Sequence, residues 1–283
     1  MTIRMAMLPD GFTFNQANLQ DFVDCPRRFQ LRHVQGQQWP AVMAEPLSEH
    51  EAFVRRGAQF HRLVERHQLG LPAAEIVAGL GDPVLRAWWE AYLGFEMLHT
   101  LPGERFPELR LSAELFGARA MAALDLVVVE PGARVTIFDW KTHGRVPRRT
   151  WLASRLQTVL YLYLVAAVGP GMWGDWLRPE MISMVYWFPV ESGSPVVFAY
   201  SHQQHREYGA RLAGLIQAIQ GGEEGGVWPL TSETRLCEHC QFRSRCGRGI
   251  VAGAFGEFEG VEEGLVDVVG SILDFEEVDE VGF

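Results

Sequence analysis

The sequence predicts an α/β protein with a mixed central sheet flanked by helices, and three observations carry that prediction. Three successive stretches over residues 105–140, "RFPELRLSAEL", "AMAALDLVVVE" and "RVTIFDW", are rich in alternating or continuous β-formers, with "PGA" as a turn between the last two. Helical spacing of apolar residues precedes and follows them. At 283 residues, 48% hydrophobic and 21% charged, the chain has the length and composition to bury a full core.

The elements follow in order. In "FTFNQANLQDFVDCPRRFQLRHV", Asn15 is placed to cap one helix and Pro26 suits the first turn of a second. A link, "QGQQWPAVMAEP", leads to helices expected over 49–69 and 82–99, with Trp88, Trp89, Tyr92 and Phe95 in the core. After the three strands come a helix over about 148–167, strands at "MISMVYWFPV" and "PVVFAY", and a helix over 203–220. "GGEEGG" then links to a cysteine segment, 228–250. The expected organisation is a helical region at 1–100, a core at 101–220, a cysteine segment at 221–250 and a tail at 251–283, the tail either a short amphipathic helix or disordered. The longest apolar stretch, "VLYLYLVAAVGPGMW", is broken by Gly and Pro before bilayer-spanning length, and the first residues hold no continuous apolar run. A cytoplasmic protein with no membrane partner is expected.

A net charge of -10 argues against nucleic acid as a partner, yet ten acidic residues and no basic one lie between Glu257 and the C-terminus, leaving residues 1–256 neutral. Arginine groups such as Arg145, Arg148, Arg149 and Arg155, or Arg243, Arg245 and Arg248, remain able to form positive patches. The acidic tail is open to three readings: a solvated end, a phosphate mimic that inhibits DNA binding, or a dock for a basic partner.

Chemistry concentrates at residues 125–141. Asp125 interrupts one apolar strand and Asp139 the next, and a buried carboxylate costs several kcal/mol unless paired or metal-bound. Lys141 is the only lysine in the chain, against 24 arginines, and lysine is the cation whose pKa can be tuned. Residues i and i+2 of a strand share a face, so Asp139 and Lys141 converge while Trp140 points away. Hard oxygen ligands suit Mg²⁺ or Mn²⁺, and an adjacent lysine can position or activate water for phosphodiester hydrolysis. The bland alternative is a buried Asp139–Lys141 salt bridge.

These residues resemble a known family. "ALDLVVVEPGARVTIFDWK" is similar to the core of the PD-(D/E)xK nuclease superfamily, and "RRGAQFHRLVE", with His61, and "LQTVLYLYL", with Gln157 and Tyr161 as a QxxxY element, narrow the resemblance to its RecB-like branch. The resemblance spans about residues 12–250 and implies a restriction-endonuclease-like core. It implies Asp125 and Asp139 as metal ligands assisted by His61, the Trp140 carbonyl as a further candidate ligand, and Lys141 as the catalytic ammonium with Gln157 and Tyr161 beside it. Glu108 and Glu114 are both available as the acidic residue on the preceding strand.

Four cysteines, Cys25 in "DCPRRF" and Cys237, Cys240 and Cys246 in "CEHCQFRSRC", argue for metal rather than disulfides, and their spacing alone leaves tetrathiolate zinc and an iron-sulfur cluster both open. The CxxC pair follows a Gly-rich link rather than a strand, which disfavours thiol redox chemistry. The one-plus-three layout is similar to iron-sulfur nucleases of the RecB-like branch, including the CRISPR-associated adaptation nuclease and the nuclease subunit of AddAB-type helicase complexes. The resemblance implies a structural [4Fe-4S] cluster joining the N-terminal helical and C-terminal cysteine segments. Neighbouring Arg27, Arg28, Arg243 and Arg245 could offset cluster charge or touch phosphates.

The expectation is thus a Mg²⁺- or Mn²⁺-dependent DNA exonuclease acting on ends or single strands, in repair, recombination or CRISPR adaptation. No P-loop is possible, since its lysine is absent, so any unwinding would come from a helicase partner. The rival is a catalytically silent nuclease-fold module that binds DNA ends or a partner in a repair or CRISPR adaptation complex. An electron-transfer role fits poorly beside a full hydrolytic set.

Overall fold

In the computed structural model the described residues are 8–37, 47–142, 146–189, 195–223, 226–238 and 240–249. The expected helix or disorder of the 251–283 tail, Arg145, and most of the link before residue 47 lie outside them.

The chain opens with β1 (Thr13–Phe14) and α1 (Gln16–Asp24). Asn15 caps α1 reciprocally with Asn18: each side-chain oxygen accepts the other's backbone N–H at 2.9 Å. Cys25 breaks the helix in an extended conformation, and α2 (Pro26–Phe29) restarts with Pro26 in its first turn, running into a π-turn over Gln30–Val34. The long α3 (Leu47–Gln68), the short α4 (Ala73–Ala78), α5 (Pro83–Leu93) and α6 (Glu96–Thr100) follow. The expected single helix over 82–99 is therefore two, because the chain turns at Gly94 and leaves Phe95 non-helical.

The strands β2 (Glu104–Leu115), β3 (Ala118–Glu130) and β4 (Arg134–Trp140) form an antiparallel meander. Next come α7 (Arg149–Ser154) and α8 (Leu156–Trp173), where one helix ending near 167 was expected. Arg155 adopts an extended ψ that separates the two helices, and α8 continues through Pro170 to Gly174, whose φ of 112° ends it. The strands β5 (Ile182–Trp187) and β6 (Val196–Ala199) and helix α9 (His202–Gly221) complete the core.

The six-stranded sheet runs β1-β3-β4-β5-β6, with β2 on the other edge of β3. It is mixed: β4 and β5 are parallel, as are β1 and β3. Its two faces carry separate cores. On one, Val127, Val129, Val135 and Ile137 meet Leu160, Leu164, Leu212 and Ile216 of α8 and α9. On the other, Leu126, Val128, Phe138 and Trp140 meet Phe60, Trp88, Trp89 and Tyr92. Burial on both faces explains why β3 and β4 read as nearly continuous apolar runs. Each fully buried large apolar side chain contributes about 1.5–3 kcal/mol. By length and composition α8 could cross a membrane, and it packs in the first core.

Both β1 and β4 use the same edge of β3, β1 at Arg119 and Ala120 and β4 from Leu126 onward. Between them, among the described residues, β3 has no ladder partner on that side. That gap is the frame of the site.

Candidate active site

The last ladder pair of β3 and β4 is Leu126 with Phe138, so the next facing positions are Asp125 and Asp139, at the mouth of the gap. Strand pairing gives way there to side-chain bonds. Asp125 Oδ2 accepts the Trp140 N–H at 2.7 Å, which holds the carboxylate where a backbone partner would otherwise sit. Beyond β4 the Lys141 N–H donates to the Trp187 carbonyl at 2.9 Å, tying the lysine to β5. Its ammonium lies 3.0 Å from Asp139 Oδ1 and 5.8 Å above the Tyr186 ring. Trp140 points to the other face and into the second core, as strand alternation requires.

Helices complete the surroundings. From α8, Gln157 Nε2 donates to Asp139 Oδ2 at 2.6 Å. Tyr161, one turn further along α8, is buried, and burial together with the Asp139 charge holds its phenol well above the usual range. From α3, His61 presents Nε2 at 3.1 Å from the Trp140 carbonyl oxygen and Nδ1 at 3.4 Å from Asp125 Oδ1.

The two glutamates of β2 stand in different surroundings. Glu114 is exposed, and its register partner is Arg119. Glu108 lies between the pairs Pro107–Leu126 and Leu109–Leu124, across from Asp125, and its φ of 48° is in the left-handed region. Such a backbone costs a glutamate about 1–2 kcal/mol. It persists where surrounding structure enforces it, commonly at functional sites. Among the described residues, His61, Glu108 and Asp125 are the group whose ligand atoms all lie within 4.8 Å of one another. Asp139 stands beside that group, engaged with Lys141 and Gln157. The donors, one imidazole and hard carboxylates, fit a divalent cation such as Mg²⁺ or Mn²⁺.

The carboxylates are electrostatically unequal. Burial pushes Asp139 up to about 7, with the Asp125 charge adding to the effect and Lys141 opposing it. Burial would also raise Asp125, but the His61 charge and hydrogen bond and the Trp140 N–H hold it below its ordinary value. His61 is the converse: burial disfavours its charge, yet Asp125, Glu108 and Asp139 raise it to about 9. A divalent ion placed there would favour the ionised form of Asp139.

The cysteine segment docks on the N-terminal helices. Trp228 stacks on Phe29 at 5.2 Å between centroids, and Gln30 accepts the Trp228 N–H at 3.1 Å while donating to the Gly226 carbonyl at 2.6 Å. The Arg27 N–H donates to the Pro229 carbonyl at 3.1 Å. This docking brings Cys25 close enough for its charge to act on Cys237, Cys240 and Cys246, whose thiols burial pushes up. All four are free thiols. Beneath lies a network that sequence reading missed. Buried Asp21 receives Arg28 Nε at 2.8 Å, Arg32 at 2.7 Å and His33 Nε2 at 2.9 Å. No helical spacing announced it, because the extended Cys25 separates Asp21 on α1 from Arg28 on α2. The Arg28 and Arg32 charges favour the Cys240 thiolate, and thiolates are the form that ligates zinc or an iron-sulfur cluster.

A gapped mixed sheet between two helical layers, with acidic side chains and a lysine at the gap, defines a nuclease-fold α/β protein. The family model of the PD-(D/E)XK nuclease superfamily matches residues 13–247, and the chain belongs to that superfamily. Its members use divalent metals and act on nucleic acid. Among solved structures the chain is similar to a candidate exonuclease from Eubacterium rectale, at 9% identity over 78% of this chain and 85% of that one, with a TM-score of 0.47. It is also similar to SSO0001, at 13% identity over 83% and 85%, with a TM-score of 0.38. No curated protein matches it.

Proposed function

We propose that the protein is a Mg²⁺- or Mn²⁺-dependent deoxyribonuclease of the RecB-like branch, acting on DNA ends or single strands. The observation that carries the proposal is the meeting of Asp125, Asp139 and Lys141 at one gap in the sheet, with His61 and Glu108 closing on Asp125. His61, Glu108 and Asp125 would hold the ion, with Asp139 and the Trp140 carbonyl beside it. A divalent ion bound there supplies Lewis-acid polarisation of the scissile phosphate and a more acidic water. Lys141 places an ammonium beside Asp139, where it can orient the attacking water and offset phosphate charge. Gln157 fixes the other Asp139 oxygen, so the carboxylate cannot swing away from the lysine. Tyr161 is buried beside Gln157 and Asp139.

Cys25, Cys237, Cys240 and Cys246 would hold a structural [4Fe-4S] cluster. The one-plus-three layout of the cysteines, similar to that of iron-sulfur nucleases of the RecB-like branch, supports this reading over zinc. The cluster would fasten the two ends of the chain around the core, restricting the unfolded state as a long-range crosslink does.

The test is cleavage of end-labelled single-stranded and duplex DNA in Mg²⁺ or Mn²⁺ by wild type and Asp139→Ala. Metal-dependent cleavage lost in the variant supports the assignment; full activity in the variant removes it. Metal binding without turnover on either substrate identifies a silent DNA-binding module instead.

A further inference from the structure

Gly57 lies on α3 one helical turn before His61, on the same side of the helix. It is buried, and its φ is not in the left-handed region, so backbone conformation does not explain the glycine. Alanine is the better helix former at such a position. What glycine provides there is space. A Cβ on residue 57 would stand 2.9 Å from Thr142 Oγ1 and 4.0 Å from Thr142 Cβ. Thr142 directly follows Lys141 and is itself buried at 3% exposure, so its hydroxyl has little room to retreat. The helix backbone therefore meets the end of the chain segment bearing Asp139, Trp140 and Lys141 at a point one turn from His61.

We propose that Gly57 is a positioning residue for the metal site: its missing side chain sets how closely α3 approaches the end of β4, and so keeps His61 within reach of both the Trp140 carbonyl and Asp125. This deepens the nuclease reading and rests on it. Gly57 touches no ligand atom. It acts through the distance between a helix and a strand, as residues behind a metal ligand do when they orient it.

The experiment compares wild type, Gly57→Ala, Thr142→Ala and the double variant Gly57→Ala/Thr142→Ala. Three quantities are measured: Mn²⁺ affinity by calorimetry, the ¹⁵N signals of the His61 ring in metal-free protein, and the thermal unfolding midpoint. Gly57→Ala should weaken Mn²⁺ binding by about tenfold or more. It should also move the His61 signals away from their hydrogen-bonded position, and any fall in the unfolding midpoint should be reversed in the double variant. Removing the Thr142 hydroxyl leaves only the 4.0 Å contact, so the double variant should recover both His61 signals and Mn²⁺ affinity to within about threefold of Thr142→Ala alone. Unchanged His61 signals in Gly57→Ala, or no recovery in the double variant, overturns the proposal. Should Gly57→Ala fail to fold, recovery of folding together with the wild-type His61 signals in the double variant supports it, and recovery of folding alone does not. Wild type that binds no Mn²⁺ and cleaves nothing defeats the nuclease reading separately, while the metal-free His61 signals still decide the role of Gly57.

Discussion

Two buried aspartates meet the same desolvation problem in opposite ways. Asp21 is saturated: two arginines and a histidine surround its oxygens, and despite full burial its carboxyl is held far below the ordinary range. Asp139 is equally buried but has one ammonium, one amide and a neighbouring carboxylate, and it is pushed up to about 7. A carboxylate whose charge is fully answered by the protein is structural. One left short of positive charge, beside a second carboxylate, is poised for a ligand that supplies it. The cysteine end of the molecule holds the first kind, and the gap in the sheet holds the second.

Substitution at each aspartate should separate the two kinds. Asp139→Asn should lower DNA cleavage by on the order of 10³-fold while leaving the metal-free fold as stable as before or more so. Asp21→Asn should do the reverse. It strips the common partner from Arg28, Arg32 and His33 and should destabilise the protein by about 3–5 kcal/mol in urea unfolding. Cleavage per folded molecule should stay near wild type. Equal stability losses in both variants would erase the distinction.

Next in size is the pH dependence of stability in metal-free protein. Asp139 titrates higher in the folded state than its ordinary 3.8, so its contribution is full below pH 3.8 and is lost as pH rises through about 7. Asp21 titrates lower, so its contribution is full above pH 3.8 and is lost as pH falls below that value. Unfolding free energies across pH 2–8 should show Asp139→Asn removing part of the fall between 3.8 and 7, and Asp21→Asn removing part of the acid loss. Saturating Mn²⁺ should reverse the first trend, because it favours the ionised carboxylate.

A smaller and more local effect belongs to the cysteines. Cys25→Ser in anaerobically purified protein should abolish visible iron-sulfur absorption and lower the unfolding midpoint, while the His61–Asp125 geometry stays intact. A colourless wild type with stoichiometric zinc would move the four cysteines to the alternative.

Much of this was legible in sequence where the physics is local. The Asn15 cap, Pro26 at a helix start, and the apolar strands each ended or interrupted by an aspartate depend on neighbours a few residues away. The i, i+2 rule placed Lys141 on the face of Asp139. Glu108 could not be chosen over Glu114 from sequence, because the choice depends on the β2–β3 register and on a left-handed backbone at one residue. The break at Arg155 hides in a helix-compatible pattern, since ψ at one position decides it. The Asp21 network and the contact between Gly57 and Thr142 are products of docking, which no local spacing encodes.

The central claim is tested most directly by anomalous scattering from a Mn²⁺-soaked crystal. One strong peak is expected in the gap along the β3 edge between β1 and β4, at roughly 2.0–2.6 Å from carboxylate oxygens of Asp125 and Glu108 and from a ring nitrogen of His61. A crystal saturated with Mn²⁺ whose peaks all lie elsewhere, with the Asp139–Lys141 pair undisturbed, would contradict it.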